Sequence, residues 1–313
     1  MSTGLHREPA VGWPVLALVG LTGTMAAVAS GAGVALRGSL ETVPFTTVRG
    51  DVVDVLTDGI YRFNGEAVAT EGIGWDAVTL AIVPVLVATL PALRRGSLRA
   101  ALLTMGLLAY LLYQYAQYAM FLAYGPLFLV YVAIVAASAS ALAVLLGRID
   151  LAELAARVDT ERFPRRGVVG FGLFMAILLL GMWLPLVGRT LGAERVPELA
   201  GATTLVVQAF DLGFLVPLGL ALAIAATRRL PAGYLLAPIV LVKGASMGAA
   251  IAAMLVVEGA VGGALEVVPI LGFAVIGLVS LVLAGRVMRS IRPVEAVSEA
   301  PAIDTMVPGA VRG

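Results

Sequence analysis

Long apolar runs are the feature that most constrains this chain, because a helix needs about 20 predominantly apolar residues to cross the hydrocarbon of a bilayer. Eight runs approach or exceed that length, at 13–36, 76–93, 100–122, 125–147, 167–188, 203–227, 233–257 and 265–285. None alternates apolar and polar residues as a membrane β-strand does, and only helices and closed barrels satisfy their backbone in lipid. The sequence therefore predicts an all-α, polytopic transmembrane helix bundle of about eight spans.

Composition narrows the classes of function. Hydrophobic residues make up 60% and charged residues 13% of the chain, against about 45–50% and 25% in soluble domains. There is no cysteine, and the one histidine, His6, cannot by itself form a metal site or a catalytic triad. There is no phosphate loop, and the glycines are spread through predicted helices and do not follow a strand, as a nucleophile elbow requires. We therefore expect no catalytic residues of a soluble-type enzyme, no metal, no cofactor and no nucleic-acid partner.

The arginines of the loops predict the orientation. If the N-terminus is cytoplasmic, fifteen arginines fall in cytoplasmic segments and five in the loops on the other side. These five are Arg37, Arg49, Arg62, Arg189 and Arg195. The positive-inside rule then places both termini in the cytoplasm, in a multi-pass protein of the plasma (inner) membrane. The three tryptophans, Trp13, Trp75 and Trp183, fall near the predicted span ends, where an aromatic belt is expected.

The first span permits two interpretations. Ala27-Val28-Ala29 before Ser30 resembles a signal-peptidase site, and cleavage there would leave seven helices in the same orientation. The apolar run continues past that site to Leu36, and Gly23, Ala27 and Gly31 form a ridge of small residues suited to helix packing. We expect a retained helix.

The chain is predicted to form one transmembrane domain, 1–292, followed by a disordered cytoplasmic tail, 293–313. Segment 37–75 is acidic and extracytoplasmic, and Asn64-Gly65 within it predicts a β-hairpin turn. Its acidic residues either keep the loop solvated outside the membrane or attract cations toward a transport pathway. Segment 148–166 is predicted to be a cytoplasmic connector with a short amphipathic helix, Asp150 to Glu161, at the interface.

Two ionisable residues fall deep within predicted spans. Asp211 lies about nine residues into the sixth span, and Lys243, the only lysine of the chain, lies about eleven residues into the seventh. Their depths differ by roughly 7 Å at a rise of 1.5 Å per residue, so an intramembrane Asp211–Lys243 pair is predicted. The pair is either a structural clamp or a site that binds or relays a small solute, an ion or a proton. A titrating amine must be lysine, because arginine keeps its proton in proteins.

Polar and aromatic residues form a stripe on one face of the third span. Together with one residue of the fourth span and one of the sixth, they predict a cavity wall. This predicted wall consists of Tyr110, Tyr113, Gln114, Gln117, Tyr118, Tyr131 and Gln208. The alternative is an interhelical hydrogen-bond seam. Lys243 could stack on one of the tyrosine rings.

Two stretches carry a resemblance to a family. Tyr110–Val132 (YLLYQYAQYAMFLAYGPLFLVYV) and Val207–Ser246, with Asp211-Leu212-Gly213 and Leu241-Val242-Lys243-Gly244-Ala245, resemble segments of bacterial polytopic membrane proteins of no assigned activity. The resemblance covers about a fifth of the chain. It implies a bacterial inner-membrane setting and supplies no site roles.

Several functions are compatible with these features. The first is transport of a small solute, an ion or a proton, with the lipid bilayer as the other partner. The second is a membrane ligand-binding or sensor protein, or a structural protein in which the pair is only a clamp. Two more remote possibilities are an intramembrane enzyme and a retinylidene-type photoreceptor. Against the photoreceptor, we expect no tryptophan in the middle of the bundle, where one would pack against the polyene.

Overall fold

The structure, a computed structural model, describes residues 11–199, 201–262 and 264–292. It is 75% helical with almost no sheet, which confirms the all-α class. In chain order the helices are α1 (Trp13–Ala35), α2 (Glu66–Arg94), α3 (Leu98–Phe121), α4 (Phe128–Leu146), α5 (Leu151–Arg157), α6 (Arg165–Thr190), α7 (Val206–Phe210), α8 (Val216–Thr227), α9 (Pro231–Gly262) and α10 (Val267–Ser290). A 3-10 turn covers Pro197–Leu199, and a π-helical turn, Asp211–Leu215, joins α7 to α8. The predicted tail, 293–313, lies outside the described residues.

Seven helical segments in the described ranges are long and apolar enough to cross a membrane. They are α1, α2, α4, α6, the unit formed by α7 and α8, α9 and α10. The eighth predicted run corresponds to α3, which has 24 residues but is not one of the seven, because its tyrosines and glutamines lower its hydropathy. Most residues of α3 are buried, against α2, α4 and α9.

Helix α9 is the centre of the bundle, in contact with α2, α3, α5, α8 and α10. Small residues permit the closest approach: a Cβ added at Gly248 would lie 2.6 Å from the Cα of Gly277 on α10, so the small residues beside Lys243 do admit a neighbouring helix. Helix α6, in contrast, packs mainly on α8. The α6–α8 side reaches the rest of the bundle through α8 on α9, α7 on α3 and a small contact of α6 with α10, which leaves space between most of α6 and the remaining helices.

The segment before α2 contains a hairpin, but at a different position from the predicted one. Strands β1 (Thr42–Thr46) and β2 (Val52–Leu56) pair antiparallel. Asn64-Gly65 instead precedes α2, with Gly65 at its N-cap. The Asn64 side chain donates to the Tyr61 carbonyl at 3.0 Å and accepts from the Ala123 N–H at 2.7 Å. Asn64 therefore fastens this segment to the end of α3.

The connector between α4 and α6 is packed against the opposite end of the bundle. Helix α5 ends at Arg157, because Val158 is extended and forms a β-bridge with Ile291. Arg157 is buried and donates to the Arg292 carbonyl at 3.2 Å, while the Arg292 guanidinium lies 3.2 Å from the carboxylate of Asp159. The amphipathic helix is thus shorter than predicted, and the connector holds the end of α10.

Candidate functional site

A cavity of about 450 Å³ lies between α6 and α8 on one side and α2, α3, α9 and α10 on the other. This volume is within the range of small-molecule sites. Both predicted charged residues and four of the predicted wall residues line it: Asp211, Lys243, Tyr113, Gln117, Tyr118 and Gln208. Leucine, methionine and phenylalanine side chains form much of the remaining wall. The cavity is therefore largely apolar with a few polar groups on one side.

The structure places the other three predicted wall residues, Tyr110, Gln114 and Tyr131, away from this cavity. Thr79 of α2 lies 2.9 Å from the Tyr110 hydroxyl and donates to the Gln114 carbonyl oxygen at 2.6 Å. The Tyr131 ring packs 5.3 Å from that of Tyr118. The stripe on α3 is wide enough to meet two neighbours, so one edge forms a hydrogen-bond seam with α2 and the other edge faces the cavity.

Tyr113 connects the two predicted charges. Its hydroxyl donates to the Asp211 carboxylate, and the Lys243 Nζ lies 3.8 Å from the centroid of its ring. The ion pairs that the structure describes lie elsewhere, so Asp211 and Lys243 do not form the direct ion pair that the sequence predicted. The stacking of Lys243 on a tyrosine is confirmed. A cation over an aromatic face is attracted by the ring quadrupole, more strongly when water is excluded.

The π-helical turn gives Asp211 its position. Pro217 has no N–H, and within a regular helix its ring would clash with the carbonyl of Gly213. The chain widens here instead, and the Val216 N–H bonds to the carbonyl of Asp211, five residues earlier. Turns of this kind occur often at functional sites. The proline therefore directs the Asp211 side chain to the cavity wall. In a regular helix this side chain would point in another direction.

Two tryptophans line the cavity, which the aromatic-belt expectation missed. Trp183 donates its Nε1 proton to Asp211 at 2.8 Å. Trp75 is buried between Tyr113 and Tyr118, with ring centroids 6.3 and 6.0 Å away. Trp13 is exposed, with Arg94 4.4 Å from its ring centroid, as a tryptophan at an interface would be. The position of a tryptophan near a predicted span end therefore did not show whether its side chain faces the cavity or the surface.

Acidic side chains line the cavity at the end nearest the β-hairpin. Glu71 comes from the second turn of α2, and Glu198 from the 3-10 turn before α7. Arg189 lies 3.2 Å from Glu198. Its own backbone N–H and the Arg189 side chain lower the pKa of the Glu198 carboxyl, which therefore stays charged at neutral pH. Two carboxyl groups therefore line this end of the cavity, and Arg189 contacts one of them.

Asp76 is a buried carboxylate that the sequence interpretation missed, because the span was taken to begin there. Helix α2 begins ten residues earlier, at Glu66, so Asp76 lies well inside it and is only 1% exposed. Tyr61 donates to it. One face of a helix is recognisable in the spacing of Val68, Gly72, Asp76 and Thr79. This spacing could have placed the start of the predicted helix closer to the N-terminus.

Comparison with known proteins found no matching family model, curated protein or solved structure.

Proposed function

We propose that this chain is a multi-pass membrane protein that binds a small solute in the cavity and has a transport, permease-like role. In this proposal α3 is an eighth span, both termini are cytoplasmic, and the membrane is the inner membrane of a bacterium. The arginine distribution and the resemblance of the α3 and α7–α9 stretches support this placement. With this orientation the β-hairpin and the acidic end of the cavity face outward.

The observation that carries the proposal is the cavity itself. A structural clamp would place Asp211 against Lys243 in a dry, packed seam. Here both side chains line an open volume of about 450 Å³, separated by Tyr113. Burying two charges beside unfilled volume is unfavourable unless the site uses them. The arrangement favours binding over a purely structural role.

The wall indicates which class of solute fits. Lys243 forms no hydrogen bond within the described residues, so the three N–H donors of its ammonium remain open to a bound group. Asp211 already accepts from Tyr113 and Trp183. The rest of the wall is mainly apolar. A small amphipathic solute fits best, with an anionic group on Lys243 and an apolar body among the methionine, leucine and phenylalanine side chains.

A fluorescence titration tests binding. Trp13→Phe leaves two tryptophans, both on the cavity wall. In nanodiscs, the full chain with this change is titrated with hexanoate, hexylamine and phenylalanine as anionic, cationic and zwitterionic probes. We expect a saturable change in emission that is strongest for hexanoate. No saturable change with any probe would contradict solute binding, and preference for hexylamine would contradict the assignment to Lys243.

Matched variants locate the response. Ile251→Phe adds volume inside the cavity and should weaken binding, whereas Ile177→Phe adds the same group at a position on α6 that is 68% exposed and should not. Uptake of radiolabelled hexanoate into proteoliposomes then separates transport from sensing, because a sensor binds the probe without accumulating it.

The cavity also favours one remote alternative more than the sequence did. Trp75 and Trp183 line the same cavity as Lys243, contrary to the expectation that no tryptophan lies in the middle of the bundle. A lysine with an aspartate nearby and aromatic walls is the arrangement of a retinylidene-type photoreceptor. Visible absorbance of protein purified with added retinal tests this alternative, and a spectrum without a visible band excludes it.

A further inference from the structure

Asp76 is enclosed by neutral groups. The hydroxyl of Tyr61, from the segment before α2, donates to one carboxylate oxygen, Oδ2. Tyr118 of α3 lies 3.4 Å from the other oxygen, Oδ1, but it also donates to the Gly72 carbonyl at the shorter distance of 3.0 Å. A phenol has one proton to donate. Because the shorter bond uses that proton, the side-chain donors left to the carboxyl group are Tyr61 and Ser30 of α1, which also contacts the Tyr115 hydroxyl at 2.9 Å. Tyr118 can donate to Oδ1 only if it gives up its bond to Gly72.

A protonated Asp76 completes the hydrogen bonds. Oδ1–H then donates to the free lone pair of the Tyr118 oxygen, Tyr118 donates to Gly72, and Tyr61 donates to Oδ2. Every polar atom of the three side chains has a partner in this arrangement. If the proton is absent, Tyr118 must give up its shorter bond to the Gly72 carbonyl to donate to Oδ1, and a buried charge with incomplete hydrogen bonding is expensive.

No positive charge compensates Asp76. The groups that face it are Ser30 of α1, Tyr61, Tyr110, Tyr115 and Tyr118 of α3 and Tyr131 of α4. All are uncharged at neutral pH, and no lysine or arginine pairs with Asp76 in the described part of the chain. A lone carboxylate within a helix of this kind is strongly disfavoured unless a cation or hydrogen-bond donors compensate it.

There is no room for a metal ion at this site. Gly33 of α1 packs directly on the Asp76 carboxyl group, so that an added Cβ would overlap it and would lie 2.8 Å from the Tyr61 hydroxyl. A Cβ at Gly72 would lie 2.8 Å from the Tyr61 ring. A proton needs no such volume, whereas a cation needs several oxygen ligands around it.

We propose that Asp76 is a proton-binding site that is occupied at neutral pH and coupled to the cavity through Tyr118. Tyr118 and Gly72 both line the cavity. When Asp76 releases its proton to solvent, the carboxylate remains, and the Tyr118 hydroxyl turns its own proton from the Gly72 carbonyl to Oδ1. This switch alters the cavity wall, so that protonation and solute binding affect each other. The coupling rests on the proposed function, but the proton site does not.

Infrared spectroscopy of the full chain in lipid tests the proton site. A protonated buried carboxyl group has a C=O stretch distinct from that of a carboxylate, and it shifts in D2O. We expect such a band at neutral pH, lost in Asp76→Asn and retained in Asp211→Asn. A neutral-pH spectrum in which Asp76→Asn removes only carboxylate bands would overturn the proposal. Loss of the band on adding Na⁺ at constant pH would also overturn it, in favour of a cation site.

A second variant guards against misfolding of Asp76→Asn. Tyr118→Phe keeps the carboxyl group and removes the acceptor of its proton, so the band should move to the position of a carboxyl group without a hydrogen bond. An unmoved band means that Tyr118 is not the partner and contradicts the proposal.

The coupling has a separate readout. In the Trp13→Phe background, raising the pH until the Asp76 band disappears should change the affinity for hexanoate, and Asp76→Asn should abolish that change. An affinity unaffected by loss of the band contradicts the coupling. A band that behaves as expected in a protein that binds none of the three probes contradicts only the proposed function.

Discussion

Asp76 of α2 and Asp211 of the π-helical turn are both buried carboxyl groups, but their surroundings on the two sides of the bundle differ. Asp76 lies among α1 to α4, enclosed by tyrosines and by the packed glycine Gly33. Asp211 lies on the α6–α8 side, bonded to Tyr113 and Trp183 and open to a cavity that also contains Lys243. Around Asp76 the packing is close, and we propose that a bound proton neutralises its charge. Asp211, in contrast, lies beside the proposed solute site, with two hydrogen-bond donors and a lysine nearby.

The largest expected effect is a loss of stability that distinguishes the close α2–α9 contact from the looser packing of α6. A Cβ at Gly74 would lie 2.6 Å from the backbone N and Cα of Met254, at the contact between α2 and α9. Gly74→Ala must push these helices apart, and we expect it to destabilise the protein by about 3 kcal/mol. Thermal unfolding in detergent measures the change.

The control is Gly181→Ala on α6, where no atom lies within 4 Å of the added Cβ. This change should be neutral or should stabilise by up to about 1 kcal/mol, because alanine favours a helix over glycine. Equal losses for the two variants would mean that the α6 side is packed as tightly as the α2–α9 contact.

The second prediction concerns the coupling of Asp211 and Lys243. Lys243→Ala leaves Asp211 buried without a nearby cation and should cost about 2 kcal/mol. This is less than the 3–5 kcal/mol typical of a broken direct pair, because Tyr113 and Trp183 still donate to the carboxylate. The double variant with Asp211→Ala should be more stable than Lys243→Ala alone.

The same unfolding assay measures this cycle, and Asp54→Ala, an exposed change on β2, serves as the control. Losses that simply add would show that the two charges are independent despite their shared contact with Tyr113.

Lys243→Arg tests whether the amine itself is needed. Arginine keeps the positive charge and can still stack on Tyr113, so stability should change by less than about 1 kcal/mol. It cannot lose its proton, and its planar head presents donors differently. We expect saturable hexanoate uptake to be lost in proteoliposomes. An arginine variant with full uptake would exclude a titrating amine.

The smallest effect lies far from both carboxylates. The Arg292 side chain, followed by backbone N–H groups, lowers the pKa of Asp159. A lowered pKa in the folded state adds stability above the unfolded value of about 3.9, and this contribution is lost as the pH falls through the folded value. Asp159→Asn should therefore lower the melting temperature slightly at neutral pH, and the difference should shrink as the pH falls below about 3.9 and through the folded value. A constant difference across this range would mean that the charge of Asp159 is irrelevant.

The sequence predicted most helices well, because long apolar runs are typical of helices that can cross a membrane. It also identified Asp211, Lys243 and Tyr113, since charged and polar residues in such runs are few. It could not predict that Tyr113 separates the two charges. That arrangement depends on how far apart α8 and α9 lie, which is set by contacts along whole helices.

The errors in helix ends had a common cause. Glu66–Trp75 contains two glutamates and two glycines and therefore resembled a loop, although it forms the first turns of α2. Tertiary contacts of Tyr61 and Asn64 support that extension. Asp76, Glu71 and Trp75 were missed for this reason, and the predicted hairpin turn was placed at a helix start.

The π-helical turn at Asp211–Leu215 has a consequence for insertions and deletions. A π turn accommodates one residue more than the α-helix around it. Deleting one residue there would remove the wide turn and rotate α7 by about 100° relative to α8. Gln208 and Asp211 would leave the cavity wall, although every side chain of the site would still be present in the chain. Relatives that lack this one residue would share the spans and the lysine of this protein without its acidic cavity wall.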